Sequence, residues 1–139
     1  MSTVLIIIAA ALLGSMLFFP VVVAPLVFRT LPAEHAGQFL RSMFPRYYLW
    51  GLVMSLIGLL AALRLSLIDS LIMAATVAGF AVSRQLLMPA INQARDLAAE
   101  TRNPAHARRF RNLHGASVGI NLLQILLLAV LLGILTAGA

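Results

Sequence analysis

Few side chains in this chain of 139 residues could do chemistry: it has 3 His, no Cys and only four acids. The informative groups are polar residues set inside apolar runs. In the last apolar run His114, Ser117, Asn121 and Gln124 follow at spacings of three, four and three, so they fall within a narrow arc of a helix. Polar groups in hydrocarbon must find partners. The stripe is therefore expected to point into a bundle, where it bridges helices or lines a cavity. One run earlier, Arg84, Met88, Asn92 and Arg95 share a helix face, with Arg84 level with Ser117 and Asn121. A charge at mid-membrane costs about 2.5 to 3.5 kcal/mol and marks a functional position by default. An arginine near the boundary can also reach lipid phosphates along its own stem. Arg84, Asn92, Arg95, His114, Ser117 and Asn121 thus form the candidate polar pocket, open to the cytoplasm. Arg84 would be the counter-charge for an anionic or metal-associated small solute.

Other chemistries have less to stand on. The four acids, Glu34, Asp69, Asp96 and Glu100, all fall outside the apolar runs, so no membrane carboxylate is offered to a proton relay. No Ser-His-Asp set, phosphate loop or metal pair is visible, and no catalytic residue is assigned; the chain is not expected to be an enzyme. Metal sites usually need three or four ligands, and His35 and His106 sit in loops. His114 is left as a weak candidate for a metal or an axial haem position, and no cofactor is predicted.

The elements that must position these residues follow from composition. With 62% hydrophobic and 10% charged residues and a mean hydropathy of +1.01, the chain reads as an all-α integral membrane protein. A span needs about 20 apolar residues, and four fit: residues 4–28, 47–63, 70–91 and 113–135, joined by loops 29–46 and 92–112. The first run is too long, and too poor in N-terminal basic residues, for a cleaved signal peptide. The whole of residues 1–139 forms one up-and-down four-helix domain. Pro20 and Pro25 should kink span one, and Pro89 span three. Gly51, Ser55, Gly79, Gly115 and Gly119 are the small residues through which spans pack closely, with Ala75 and Ser83 on the same line as Gly79.

All ten basic residues are arginine. Arg29, Arg41 and Arg46 lie in the first long loop, Arg95, Arg102, Arg108, Arg109 and Arg111 in the second, and Arg64 alone marks the other side. Cytoplasmic loops collect basic residues, so both long loops are placed in the cytoplasm of a bacterial inner membrane and both termini outside. Residues 31–44 carry Ala36, Phe39, Leu40 and Met43 at helical spacing, a short surface helix ending before Pro45. Tyr47, Tyr48 and Trp50 read as an interfacial aromatic belt. Asn103-Pro104 is an N-cap followed by a first-turn proline, so helices three and four should extend past the membrane as a basic cytoplasmic hairpin. Arg102, Arg108, Arg109 and Arg111 would meet anionic headgroups or a partner; nucleic acid is not expected.

Three blocks carry a family resemblance. They are Phe18-Phe-Pro-Val-Val-Val-Ala-Pro-Leu-Val-Phe28 leading into Leu31-Pro-Ala-Glu-His-Ala-Gly37, then Leu87-Met-Pro-Ala-Ile-Asn-Gln-Ala-Arg-Asp96, then Arg109-Phe-Arg-Asn-Leu-His-Gly-Ala-Ser117. In this order they resemble the transmembrane-protein-205-like family, small four-helix membrane proteins with a domain of unknown function. The resemblance implies fold and location but no reaction, and maps signature positions to Pro25, Phe28, Gly37, Pro89, Asn92, Arg95, Arg111, His114 and Gly115. Three readings of function stay open. The first is small-solute or ion binding linked to transport. The second is a non-catalytic structural or assembly role, in which the pocket residues tie helices together and the basic hairpin docks on lipid or a partner; a homo-oligomer is expected to be compatible with the small-residue faces. The third is a haem- or quinone-linked redox role resting on His114.

Overall fold

The structure is a computed structural model and describes residues 2–138. Its four helices are α1 (Ser2–Thr30), α2 (Ala33–Ala62), α3 (Leu67–Thr101) and α4 (Pro104–Ala137), and each is long and apolar enough to cross a membrane. They form an up-and-down bundle in which α1 and α3 each pack between α2 and α4. Among the described residues the diagonal pairs make no close backbone approach. The outer surface exposes large apolar side chains along every helix, among them Ile7, Phe28, Leu60, Leu71, Leu86 and Leu122. A water-soluble domain does not carry such continuous apolar patches, whereas lipid accepts them.

Local sequence explains the helix ends. Ser66 caps α3 by accepting the Asp69 amide at 3.1 Å, and Asn103 caps α4 by accepting the Ala105 amide at 3.0 Å. Arg102 ends α3 with φ of 51°, the left-handed conformation common one residue past a helix. The link between α3 and α4 is thus only two residues long, Arg102 and Asn103.

Two expectations for the first loop are corrected. No separate surface helix stops at Pro45; α2 runs unbroken from Ala33 through Pro45. The lost proline donor is tolerated in a turn braced by side chains. Ser42 Oγ donates to the Phe39 carbonyl at 3.1 Å, and Arg46 Nη1 donates to the Ser42 carbonyl at 2.7 Å. Nor do Tyr47 and Tyr48 form a lipid-facing belt. They turn inward and pack with Phe19, Phe44 and Phe80, leaving Trp50 as the exposed member of the three. The expected α3–α4 hairpin is likewise not a distinct element. The first turns of α2 pack beside it, and Arg41 of α2 is bonded to Asp96 of α3 at 2.6 Å.

The prolines act through widened turns. A π-turn spans Phe19–Val23 and another Ser83–Leu87, each ending two residues before a proline, Pro25 or Pro89. In each, the amide just before the proline reaches back five residues: Ala24 to the Phe19 carbonyl and Met88 to the Ser83 carbonyl. A proline ring crowds the carbonyl four residues earlier, and widening the turn relieves that contact. Seventeen helical residues precede the first π-turn and sixteen the second, so the two lie at nearly equal depth.

The apolar core sits mostly on the terminal side of these turns. Leu5, Ala9, Leu12, Met73, Leu128 and Leu131 are fully buried there, and Met16 and Phe80 close its floor.

Candidate functional site

Around the level of Phe80 the interior turns polar, and α3, α4 and α2 supply the groups. Gln124 of α4 is buried and donates through Nε2 to the Thr76 carbonyl of α3 at 2.9 Å. Its side chain lies directly over Gly79, where a Cβ would collide with the amide. That contact fixes the antiparallel register, so Ser83 comes one turn along to the level of Asn121. Asn121 donates to its own helix at the Ser117 carbonyl, 3.0 Å away. Ser117 Oγ in turn meets the Tyr48 hydroxyl of α2 at 3.1 Å, a bond across the diagonal of the bundle.

This seam is incompletely satisfied. Ser83 Oγ, Arg84 Nε, Asn121 Oδ1 and Gln124 Oε1 are buried without a hydrogen-bond partner. Leaving a buried polar group unpaired costs about 1 to 3 kcal/mol, and such groups are few in folded proteins. Here they lie on two adjacent helices within two turns.

The other sequence-predicted positions distribute differently. Ser117 is buried, Asn121, Arg84 and Asn92 are half-buried, and His114 and Arg95 are exposed. His114 stands at one rim of the polar arc and Gln124 at the other, and the buried face of α4 centres on Ser117, Gln124, Leu128 and Leu131. The His114 ring stacks instead on Phe110, with centroids 5.9 Å apart, so His114 is not part of the interior seam. Arg95 leaves the Arg84 face because the π-turn between them inserts a residue into the helical repeat, which rotates everything beyond it by about 100°. Gly115 and Gly119 face open space rather than a neighbouring helix, whereas Gly51 lies against the Phe80 ring. Ser55 is fully buried. Arg102, Arg108, Arg109 and Arg111 are all exposed.

One polar position escaped sequence reasoning. Asp69 is not a loop residue but sits buried in the first turn of α3, with Oδ1 unpartnered. The signal was available: Ser66-Leu-Ile-Asp69 has the spacing of a capping box, and an acid is favoured at a helix N-terminus.

Clefts indent the surface at both ends of the bundle. An apolar one of about 480 Å³ lies near the termini between Val4, Ile57, Leu60 and Arg64. A charged one of about 230 Å³ lies at the arginine-rich end, lined by Glu34, Gly37, Gln38 and Arg41 of α2 and by Arg95 and Asp96 of α3. Gly37 leaves the space that the Arg95 guanidinium occupies, and a Cβ there would make that side-chain end shift.

The Arg41 hydrogen bond, with a smaller contribution from the Arg95 charge, holds the Asp96 carboxyl below the usual carboxylate range. A depressed carboxylate contributes stability above its unfolded value and loses it as pH falls through the folded one. The α2–α3 clasp is thus expected to hold at neutral pH and to release only in acid, below about pH 4. A carbon-detected NMR titration of Asp96 checks this. Arg41→Gln should return the midpoint to the ordinary range, and an unmoved midpoint would show that Arg41 is not the cause.

The model of DUF4149, a domain of unknown function, matches residues 7–100. The chain belongs to this family. DUF4149 is the domain associated with small transmembrane-protein-205-like membrane proteins, so the resemblance carried by the three sequence blocks is correct. The matched stretch takes in nearly all of α1–α3, including both π-turns and the whole charged cleft, and ends before α4. No curated protein and no solved structure matches the chain.

Proposed function

We propose that this DUF4149 protein binds a small polar solute in the α3–α4 seam and serves its movement across a bacterial inner membrane, with both termini outside. The observation that carries this reading is the set of buried, unpartnered atoms Ser83 Oγ, Arg84 Nε, Asn121 Oδ1 and Gln124 Oε1. They combine a fixed cationic donor with two amide acceptors and a hydroxyl. That set suits water or a small solute that both accepts and donates hydrogen bonds, with Arg84 facing its anionic group. Asn92 stands farther along α3 toward the arginine-rich end, on the route such a solute would take to the cytoplasm. The orientation rests on the arginine count between the two ends.

The absence of cysteine from the sequence makes the test direct. Ser83→Cys and Asn121→Cys proteins in native membranes should react with a small methanethiosulfonate reagent, while lipid-facing Leu122→Cys should not. The same labelling of Ser2→Cys from outside intact cells tests the orientation. In proteoliposomes, Arg84→Gln should lower the flux of small anions, with chloride and phosphate as probes. Protection of both seam cysteines to the level of the Leu122 control, with no flux above empty vesicles, would defeat the reading.

That outcome would favour the structural alternative, which has its own support. The Tyr48–Ser117 and Gln124–Thr76 bonds tie three helices together, as a seam serving only to fix helix register would. The redox reading has less support, since His114, on which it rests, is exposed on α4 and stacks on Phe110 rather than joining the seam.

A further inference from the structure

The charged cleft is separate from the seam and carries an inference of its own. Its two walls hold four charges. Arg41 and Asp96 neutralise one another at 2.6 Å. Arg95 lies over Gly37, and among the described residues neither Arg95 nor Glu34 has a side-chain hydrogen-bond or ion-pair partner within the cleft. One cation and one anion, neither of them hydrogen-bonded through its side chain, therefore line the same cleft of about 230 Å³, with Arg95 acting on Asp96 only through space. A simple anion would be drawn to Arg95 and repelled by Glu34, and a simple cation the reverse. A molecule bearing both charges a few atoms apart satisfies both walls at once.

Its place in the fold narrows the chemistry further. The cleft opens beside the two-residue link Leu31–Pro32, just past the uncharged run of α1 that ends at Phe28. Since α2 and α3 are 30 and 35 residues long, about 45 to 52 Å at 1.5 Å per residue, their ends stand outside a hydrocarbon core of about 30 Å. This is headgroup height. A planar guanidinium is suited to a phosphate, and a carboxylate is suited to an ammonium that can donate hydrogen bonds.

We infer that the cleft formed by Glu34, Gly37, Gln38, Arg41, Arg95 and Asp96 binds a phosphoethanolamine group, with its phosphate on Arg95 and its primary ammonium on Glu34. The group can arrive on a lipid or as a free molecule, and the experiment separates the two.

The purified protein is reconstituted in nanodiscs of mixed phosphatidylethanolamine, phosphatidylglycerol and phosphatidylcholine, then released for native mass spectrometry, and the retained lipids are counted. Phosphatidylethanolamine should be retained about tenfold over the other two, the scale of one charge-assisted hydrogen bond. Phosphatidylglycerol lacks the ammonium, and phosphatidylcholine has one that cannot donate. Free phosphoethanolamine added to detergent-solubilised protein should displace the lipid only if the soluble molecule is the ligand. Glu34→Gln should bring ethanolamine and glycerol lipids to parity, while Arg95→Gln and Gly37→Ala should weaken retention of both. Equal retention of all three lipids by the parent, or an unchanged preference in Glu34→Gln, would overturn the inference. Glu34 is exposed and its substitution leaves packing untouched, so it decides the question even if Arg95→Gln fails to fold.

Discussion

Phe80→Ala is expected to lower the stability of the bundle by about 2 to 3 kcal/mol. The ring is fully buried, packs edge-on to Tyr47 and lies over Gly51. In a water-soluble core the same truncation costs about 3 to 5 kcal/mol, of which the void contributes about 24 cal/mol per Å³. In a bilayer the separated helix still keeps its side chains in hydrocarbon, so the transfer part falls away. What is left is the void, on the order of 100 Å³, which sets the lower figure. Gly51→Ala attacks the same contact from the other side. Its Cβ would occupy the space of the ring, and overpacking of this kind costs about 1 to 3 kcal/mol. Equilibrium unfolding in mixed detergent micelles, followed by circular dichroism, gives both values. Combining Gly51→Ala with Phe80→Leu should recover part of the loss. If the double variant is as unstable as the sum of the singles, the two residues do not share a contact.

Gly79→Ala is the second large effect, and it acts through hydrogen bonding. The new methyl group would meet the Gln124 amide, which is a movable side-chain end, so steric strain alone is small. The amide has nowhere equivalent to go. Displacement breaks its bond to the Thr76 carbonyl and strands a second polar atom beside Oε1, already unpartnered. One more unsatisfied group costs about 1 to 3 kcal/mol. Gln124→Ala removes the amide that must move, so the pair Gly79→Ala with Gln124→Ala should be more stable than Gly79→Ala alone, a coupling that a double-mutant cycle reads directly. Simple additivity would show that Gly79 and Gln124 do not oppose each other.

The sequence-derived outline agrees with the structure in its helix count, its antiparallel order and the resumption of helix at Asn103-Pro104, because each rests on a local and strong signal. Apolar length, short links and a capping residue followed by proline leave little choice. The site was legible in part. Ser117 lies inside the polar arc and Gln124 at the rim that continues into the buried Leu128 and Leu131, so a helix wheel turns both inward. His114 lies on the opposite rim of the same arc, where a neighbouring Phe110 decides its direction, and an arc does not disclose which neighbours compete. Arg95 was misplaced for a different reason. A wheel assumes a constant repeat, and the π-turn at Ser83–Leu87 breaks it between Arg84 and Arg95. Pro45 shows the limit of proline as a stop signal: inside α2 the turn before it is braced by Ser42 and Arg46, which only spatial arrangement reveals. Gly115 and Gly119 have the composition of a contact face, but the contact depends on where α3 and α1 lie around α4.

The equal depth of the two π-turns has a mechanical meaning. They fall on α1 and α3, the parallel pair at opposite corners, and separate a closely packed apolar half from one held by a polar seam and an exposed ion pair. Cooperative opening units in proteins follow such differences in burial. Opening of the arginine-rich half about these two opposed turns would have to break the Tyr48–Ser117 bond and the Arg41–Asp96 clasp, whereas the Gln124–Thr76 bond lies on the terminal side with the leucines and would be kept. The molecule is divided like a pair of tongs, packed by leucines at one end and held by a few polar contacts at the other.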